Sequence, residues 1–187
     1  MNILLHVCCA PCAIYPIEEL AKKGHRAAGF FYNPNIHPYS EYLKRRLEVE
    51  GFSKEALLKT AYADYDIENY FQRIAHNETI GERCSICWGM RLEKTAKFAK
   101  ENGFDAFTTT LLGSPYQDQA AIKNIGEEIA KRTGIQFHYE DFRPGFKKAH
   151  ETAKSKGMYC QKYCGCVFSE KERLEKKCKN FKVSRCQ

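Results

Sequence analysis

The first 35 residues, MNILLHVCCAPCAIYPIEELAKKGHRAAGFFYNPN (residues 1–35), contain the pattern that decides the fold. Residues 3–7 form a short apolar run typical of a buried strand. Residues 11–23 are predicted to be a helix, because proline stands near its start and glycine just beyond its end. Residues 26–32 form a second strand, which an Asn-Pro pair ends. This strand–helix–strand order indicates two parallel strands joined by a crossover helix.

The rest of the chain continues the alternation. Further strands are predicted near residues 56–60, 106–111 and 135–139, and helices at residues 39–49, 66–75, 85–101, 117–132, 146–156 and 169–177. The pattern predicts an α/β fold with a doubly wound, mainly parallel sheet. We expect one domain over residues 1–187, with residues 144–187 as a helical, cysteine-containing C-terminal extension packed on it.

Composition excludes several classes of protein. Charged residues make up 28% of the chain and aromatic residues 13%, which argues against disorder. No apolar run approaches the roughly 20 residues of a membrane span, and the N-terminus lacks the basic region of a signal peptide. We therefore expect a cytoplasmic protein with no membrane partner. The net charge of +7 permits a nucleic-acid partner without requiring one.

The 10 cysteines carry the strongest functional signal. In a reducing compartment, clustered cysteines favour metal or redox chemistry over structural disulfides. Cys8, Cys9 and Cys12 directly follow the first strand, and Cys84 and Cys87 open a long predicted helix, where the helix dipole is expected to lower thiol pKa values. Ligands of such sheets bind beyond the carboxyl ends of the strands. Four thiolates on that rim would suit either a four-iron cluster or tetrahedral zinc.

A third cysteine group lies near the C-terminus. Cys164 and Cys166 form a CxC motif, whose disulfide would close a small, strained and oxidising ring, with the intervening glycine supplying backbone freedom. Further metal ligands, or free thiols, are the alternatives. Cys160 lies just before them, and Cys178 and Cys186 lie in a Lys-rich tail as exposed or locally bridged thiols. The disulfide pairing among these five is left open.

Two polar groups are candidates for substrate binding. Tyr42, Arg45 and Arg46 are spaced to share one helix face, which would grip a phosphate or stack a base, or else be a solvated basic face. Ser114 and Tyr116 precede a helix, whose N-terminus favours anions, although simple capping by Ser114 explains the serine equally well.

Three other residues have simpler interpretations. His6 lies inside the first strand and is expected to be a core histidine with its hydrogen bonds satisfied. Asp141 and Arg143 suit a local ion pair, although the carboxylate would also suit proton delivery or a metal site. No GxGxxG follows the first strand, so a dinucleotide cofactor is not expected there.

Seven motifs taken together resemble the cobalamin-independent epoxyqueuosine reductases, the QueH family. The resemblance covers essentially the whole chain and is carried by HVCCAPC (6–12), YNPNIHP (32–38), Glu41-Tyr42, the CxxC at 84–87 with Arg91, Thr110 to Tyr116, Asp141-Phe142-Arg143, and YCQKYCGCVFS (159–169). It implies the final step of queuosine biosynthesis, in which epoxyqueuosine at the wobble position of certain tRNAs is deoxygenated to queuosine. It also implies iron–sulfur dependence and a fold similar to the adenine nucleotide α-hydrolase (HUP-like) type.

The resemblance leads to a hypothesis for each group of site residues. The predicted ligands of a [4Fe-4S] cluster are Cys8, Cys9, Cys84 and Cys87. Cys12 and Asp141 are candidates for a second iron or for proton delivery, and Cys164 and Cys166 for a redox-active pair that relays electrons. The expected tRNA contacts are Tyr42, Arg45, Arg46, Ser114, Tyr116, Arg143 and the lysines of the C-terminal helices.

Two alternatives stay open at this point. One is an iron–sulfur tRNA thiolase on a related fold, which would need ATP and a phosphate loop that the sequence lacks. The other is a zinc-stabilised tRNA-binding protein without chemistry. A metal-free thiol-redox protein is a weaker third interpretation. The electron donor of the reductase is not identified by any motif.

Overall fold

The computed structural model describes residues 1–180, and its regular elements follow the predicted alternation closely. The strands are β1 Asn2–His6, β2 Arg26–Phe31, β3 Thr60–Tyr62, β4 Ala106–Thr109 and β5 Gln136–Phe137. The helices are α1 Ala10–Lys22, α2 Tyr39–Glu55, α3 Ile67–Ile74, α4 Ile80–Glu101, α5 Gln119–Thr133, α6 Phe146–Ser155 and α7 Val167–Asn180. Single 3-10 turns at Thr110–Gly113 and Arg143–Gly145 follow β4 and precede α6.

The five strands form one parallel sheet in the order β3-β2-β1-β4-β5. Helix α1 contacts α2 and α6, whereas α4 contacts α3 and α5, so two groups of helices flank the sheet. The predicted doubly wound α/β fold is therefore confirmed. The chain runs outward from β1 to β3 and then returns to place β4 on the other side of β1. The crevice between the carboxyl ends of β1 and β4 is thus the topological switch point, where such sheets bind ligands.

Two apolar clusters occupy the layers between sheet and helices. The larger one surrounds Leu4, Phe30 and Phe107, and a second one surrounds Leu5 and Phe31, all nearly inaccessible to solvent. Burial of both faces is what a parallel sheet requires, and it explains the nearly continuous apolar sequence of β1. Within residues 1–180, no helix has the length and apolar composition that crossing a bilayer requires.

Several element boundaries differ from the sequence prediction. Helix α2 continues through Gly51 to Glu55, because Val49 and Ser53 extend its buried face, and β3 consequently begins at Thr60 rather than near residue 56. Helix α4 begins at Ile80, five residues before its predicted start. Thr79 and Glu82 have the spacing of a helix N-terminus, and the Thr79 hydroxyl donates a hydrogen bond to the Glu82 carboxylate.

His6 is a core histidine, as predicted. Its ring nitrogens lie 2.9 Å from Thr109 Oγ1 and 3.1 Å from the carbonyl oxygen of Tyr32. Burial, together with the nearby positive charge of Arg91, lowers the pKa of His6 to about 4. Burial also lowers the pKa of His37, in the loop after β2, to about 4.

We expect these two histidines to make folding stability depend on pH. Their folded pKa values lie below the unfolded value of about 6.5, so the unfolded chain binds their protons more readily. The stability is complete above pH 6.5 and falls toward pH 4, by about 1.4 kcal/mol per histidine for each pH unit. Urea unfolding followed by Trp88 fluorescence at pH 7 and pH 5 measures this loss. His6→Gln is expected to reduce the slope with pH, and an unchanged slope would contradict the assignment.

Candidate active site

Three cysteine sulfurs converge where β1 ends. The Sγ atoms of Cys8 and Cys9 are 3.8 Å apart, those of Cys9 and Cys12 are 2.6 Å apart, and all three lie within 4.8 Å of one another. Cys9 has an extended backbone and directly precedes the first residue of α1. Pro11 lies in the first turn of α1, where a backbone N–H would have no partner within the helix, so its absence in proline costs nothing. The CCAPC sequence therefore places Cys12 one helical turn beyond Cys9. We call Cys8, Cys9 and Cys12 the thiol triad.

The thiol triad is tied to the end of β4 by Thr110. The backbone N–H of Cys8 donates to Thr110 Oγ1 (3.1 Å), and the Thr110 hydroxyl donates to Cys8 Sγ (3.2 Å). Hydrogen bonds from Cys12, Cys9 and Thr110 hold the pKa of the Cys8 thiol well below its usual range, whereas burial raises the pKa of Cys9. The negative charge of the triad is thus expected on Cys8, and thiolate is the metal-binding form of cysteine.

The donor set of the triad suits a soft metal. Closely grouped thiolates select iron–sulfur clusters, zinc or Cu(I) over hard cations. Two thiolates bound to one metal ion at about 2.3 Å lie roughly 3.8 Å apart, which is close to the Cys8–Cys9 separation of 3.8 Å. The Cys8–Cys9 pair therefore fits a thiolate-bound metal centre, whereas Cys9 and Cys12, with sulfurs 2.6 Å apart, would have to separate to bind one ion together.

Asp141 lies apart from this group of sulfurs. Within the described residues, its carboxylate is not among the mutually close ligand atoms of the triad. Arg143 Nε and Nη2 donate to the two Asp141 oxygens at 2.8 and 2.6 Å, and these hydrogen bonds hold the pKa of the carboxyl below its usual range. The structure thus shows the local ion pair and places Cys12 with Cys8 and Cys9, not with Asp141 as the second-iron hypothesis required.

Cys84 and Cys87 are the fifth and eighth residues of α4, beyond its first turn, rather than at its start. The expected effect of the helix dipole is therefore wrong, because that effect is confined to the first turn. Burial raises the pKa of Cys84, and it raises the pKa of Cys87 to about 12 against the opposing charge of Arg91. Cys84 and Cys8 pack against the same large core cluster, whereas Cys87 packs with Cys166 in a separate one. Cys84 and Cys87 are outside the close group of the triad.

Cys164 and Cys166 are separate thiols in the structure, so no CxC disulfide is formed. Cys164 is exposed, whereas Cys166 is buried, accepts a hydrogen bond from the Tyr70 hydroxyl (3.2 Å) and packs in one cluster with Cys87. Gly165 between them has φ +120°, a conformation that favours glycine, as its sequence position suggested. Of the two tail cysteines, Cys186 lies outside the described residues, so a local bridge in the tail stays a prediction.

Arg45 holds residues 159–166, which we call the cysteine segment, against α2. Its side chain is 2% exposed. Nε donates to Glu41 Oε1 (2.8 Å), while Nη1 and Nη2 donate to the carbonyl oxygens of Cys164 and Tyr163, both at 3.1 Å. The predicted role of Arg45 in gripping a substrate phosphate is therefore wrong, since its donors are used inside the protein.

Tyr42 is also part of the core rather than of a binding surface. Its side chain is 2% exposed and packs against Phe31 and Tyr65. A base cannot reach a ring in this position, so the predicted stacking role is wrong as well. The periodicity of α2 correctly placed Tyr42 and Arg45 on one face, but that face is buried.

The polar loop after β2 anchors the other side of the cysteine segment. The His37 N–H donates to the carbonyl oxygen of Gly165 (2.7 Å), and the Tyr163 hydroxyl donates to the carbonyl oxygen of His37. The Tyr65 hydroxyl donates to the carbonyl oxygen of Ile36 (2.6 Å). These bonds join three parts of the chain that are distant in sequence, and they fix the segment beside the thiol triad.

The remaining predicted substrate residues lie at the surface. Tyr116 is 84% exposed and meets the ring of Phe146 edge-on, with 6.0 Å between centroids. Arg46 is half-exposed and paired with Glu50. Ser114 accepts a hydrogen bond from the N–H of Tyr116 (3.2 Å) and does not cap α5.

The capping residue of α5 is Asp118, whose carboxylate accepts from the N–H of Ala121 (3.0 Å). Helix α5 accordingly begins two residues later than predicted. A narrow apolar cleft beside Cys12 is lined by Tyr15, Phe142 and Phe146. Phe146 also contacts Tyr116, so aromatic side chains lead from the cleft beside Cys12 to the exposed ring of Tyr116.

Sequence reasoning missed Gln161, Thr110 and Tyr70 as contacts of the cysteines. Gln161 Nε2 lies 2.9 Å from Cys9 Sγ and 3.4 Å from Cys12 Sγ. Thr110 follows β4 and Tyr70 lies on α3, at sequence separations of 102 and 96 residues from the cysteines that they contact. The parallel topology predicts that Thr110 lies near Cys8, because both follow neighbouring strands. No spacing in the sequence predicts the contacts of Gln161 and Tyr70.

The sheet topology and the position of the cysteines identify the class of protein. This is an α/β protein with an adenine nucleotide α-hydrolase-like fold and a group of three cysteines that could hold a metal ion at the switch point of its sheet. A solved structure described as a predicted subunit of tRNA methyltransferase from Methanocaldococcus jannaschii is similar, with a TM-score of 0.57 at 15% sequence identity over 82% of this chain and 74% of that one. At this identity the likeness concerns the fold alone.

Comparison of sequences places the chain more narrowly. Residues 3–172 match the family Epoxyqueuosine reductase QueH. The Thermotoga maritima protein of that name is 39% identical over 183 residues, covering 94% of this chain and 93% of the relative. The Dehalococcoides mccartyi protein is 35% identical over 176 residues, covering 94% and 96%. The chain belongs to the QueH family of epoxyqueuosine reductases, as the sequence motifs predicted, and is thus an oxidoreductase of tRNA processing and queuosine biosynthesis.

Proposed function

We propose that this chain reduces epoxyqueuosine in tRNA to queuosine with a [4Fe-4S] cluster bound at the cysteine-lined rim. The observation that carries the proposal is the thiol triad at the β1/β4 switch point of a chain whose relatives of nearly equal length are named epoxyqueuosine reductase. A thiolate centre in a ligand crevice suits redox chemistry on a bound substrate better than it suits structural support.

The chemistry sets what the site must supply. Both C–O bonds of the epoxide break, a carbon–carbon double bond forms, and the oxygen leaves as water. This consumes two electrons and two protons, which ultimately come from an external reductant and from solvent. A bound cluster would supply electrons one at a time, so a second redox element is useful. Cys164 and Cys166 suit that role, since oxidation of this dithiol to a disulfide releases two electrons.

The proposed cluster ligands are Cys8 and Cys9 from the triad with Cys84 and Cys87 from α4. Two features support this set: Cys8 and Cys84 pack against one core cluster, and the buried Arg91 places a positive charge near Cys87. A buried cation offsets the negative charge that several thiolates bring together. Cys12, against Cys9, is then the thiol best placed to deliver a proton beside the cluster.

The proposed substrate contacts lie on the surface that leads to the triad. A base presented outside its stack would find aromatic faces at Tyr116 and Phe146, next to the cleft that reaches Cys12. Exposed cations nearby, such as Arg143 and Lys147, would hold backbone phosphates, in keeping with the net charge of +7.

Mass analysis of tRNA nucleosides tests this function. Iron-loaded protein, a chemical reductant and tRNA carrying epoxyqueuosine are incubated without oxygen, and the tRNA is then digested. We expect epoxyqueuosine to be replaced by queuosine, lighter by one oxygen atom. Persistence of epoxyqueuosine with a fully loaded protein would overturn the proposal. Stoichiometric zinc without iron in anaerobically purified protein would favour a tRNA-binding protein that performs no chemistry.

A further inference from the structure

Among the described residues other than cysteines, Gln161 has the side-chain hydrogen-bond donor nearest to a sulfur of the thiol triad. Its Nε2 lies 2.9 Å from Cys9 Sγ and 3.4 Å from Cys12 Sγ, so one amide group spans two sulfurs. Its Oε1 is buried and has no hydrogen-bond partner among the described residues. The reverse orientation of the amide would place that oxygen against two electron-rich sulfurs, so the N–H group belongs on the sulfur side.

The position of Gln161 is imposed by the backbone around it. Arg45 binds the carbonyl oxygens two and three residues further along the cysteine segment, and the loop residue His37 binds Gly165. On the other side, the Tyr159 hydroxyl donates to Glu41 Oε2 (2.7 Å). Because the segment is held on both sides of Gln161, the amide is preorganised, and it loses little conformational entropy when it contacts the sulfurs.

We propose that Gln161 is a positioning residue that sets the reduction potential of the metal centre at the thiol triad, through its hydrogen bonds to the proposed ligand Cys9 and to Cys12 beside it. A hydrogen bond to a ligand sulfur withdraws electron density from it, which favours the more electron-rich, reduced form of the centre. Loss of the donor therefore makes the midpoint potential more negative. The inference rests on the proposed metal centre, but not on which substrate that centre reduces.

Two substitutions separate donation from bulk. Gln161→Leu fills a similar volume without any donor, and Gln161→Glu keeps the planar shape but replaces the N–H group by a carboxylate oxygen. Gln72→Leu is the matched control, because it makes the same chemical change on an exposed face of α3. All four proteins are loaded with iron and sulfide, and their midpoint potentials are measured by anaerobic titration followed by visible and EPR spectra.

We expect both Gln161 variants to shift to more negative potential than the wild type, with Gln72→Leu unchanged. The same variants loaded with Co²⁺ instead of iron are expected to show the thiolate-to-metal absorption at longer wavelength, because the sulfur lone pairs are no longer stabilised by the amide. Wild-type potential together with wild-type cobalt spectra in Gln161→Leu would overturn the inference. Failure of loaded wild-type protein to convert epoxyqueuosine would overturn the proposed function and leave these shifts unaffected.

Discussion

Arg45→Leu is expected to destabilise the protein by about 3–5 kcal/mol and to release the cysteine segment. The reason is that the substitution removes one partner of a buried ion pair and takes the donors away from Glu41 Oε1 and from two carbonyl oxygens. Urea unfolding gives the change in free energy. Cleavage by a lysine-specific protease at Lys162, inside the cysteine segment, is expected to accelerate as the segment detaches.

The neighbouring arginine provides the control. The side chain of Arg46 is 39% exposed, and its ion pair with Glu50 lies at the surface. Arg46→Leu is therefore expected to change stability by no more than about 0.5 kcal/mol. If Arg45→Leu behaved like Arg46→Leu in both unfolding and proteolysis, Arg45 would not be the anchor of the cysteine segment.

Cys9→Ala is expected to abolish metal loading and to lower the rate of epoxyqueuosine reduction more than ~100-fold, beyond the usual cost of losing an outer-shell contact. Cys9 is the middle residue of the triad, since its sulfur lies close to those of both Cys8 and Cys12. The metal content of the purified variant and the nucleoside composition of treated tRNA measure the two effects.

Cys160→Ala is the matched control for that experiment. Cys160 is a half-buried free thiol of the cysteine segment, and it packs against Ile14, Ala149 and Ala153 instead of the triad. We expect the Cys160→Ala variant to keep the metal content and the activity of the wild type. Full activity in Cys9→Ala, or equal losses in both variants, would show that the triad has no special role.

Local sequence signals predicted most of the fold. The apolar run of β1, the Pro and Gly at the ends of α1 and the regular alternation of elements were sufficient for the parallel topology, because each signal acts within a few residues. The rule that ligands bind at the carboxyl ends of strands then brought Cys8 and Thr110 to the same crevice, although 102 residues separate them.

The errors arose where a long-range contact decides the role of a residue. Helical spacing placed Tyr42 and Arg45 on one face but could not reveal that this face covers the cysteine segment, 118 and 119 residues further along the chain from Arg45. A charged residue on an amphipathic helix is usually solvated, and the buried bonds to backbone oxygens are the exception here. Gln161 was missed for the same reason, since its partners are about 150 residues away in sequence.

Iron and acid-labile sulfide content measures whether Cys8 and Cys9 of the triad and the CxxC of α4 together hold a four-iron cluster. We predict about four of each per chain in the reconstituted wild type, and loss of the intact cluster in Cys84→Ala. Full iron and sulfide content in Cys84→Ala would show that Cys84 is not a ligand of the cluster.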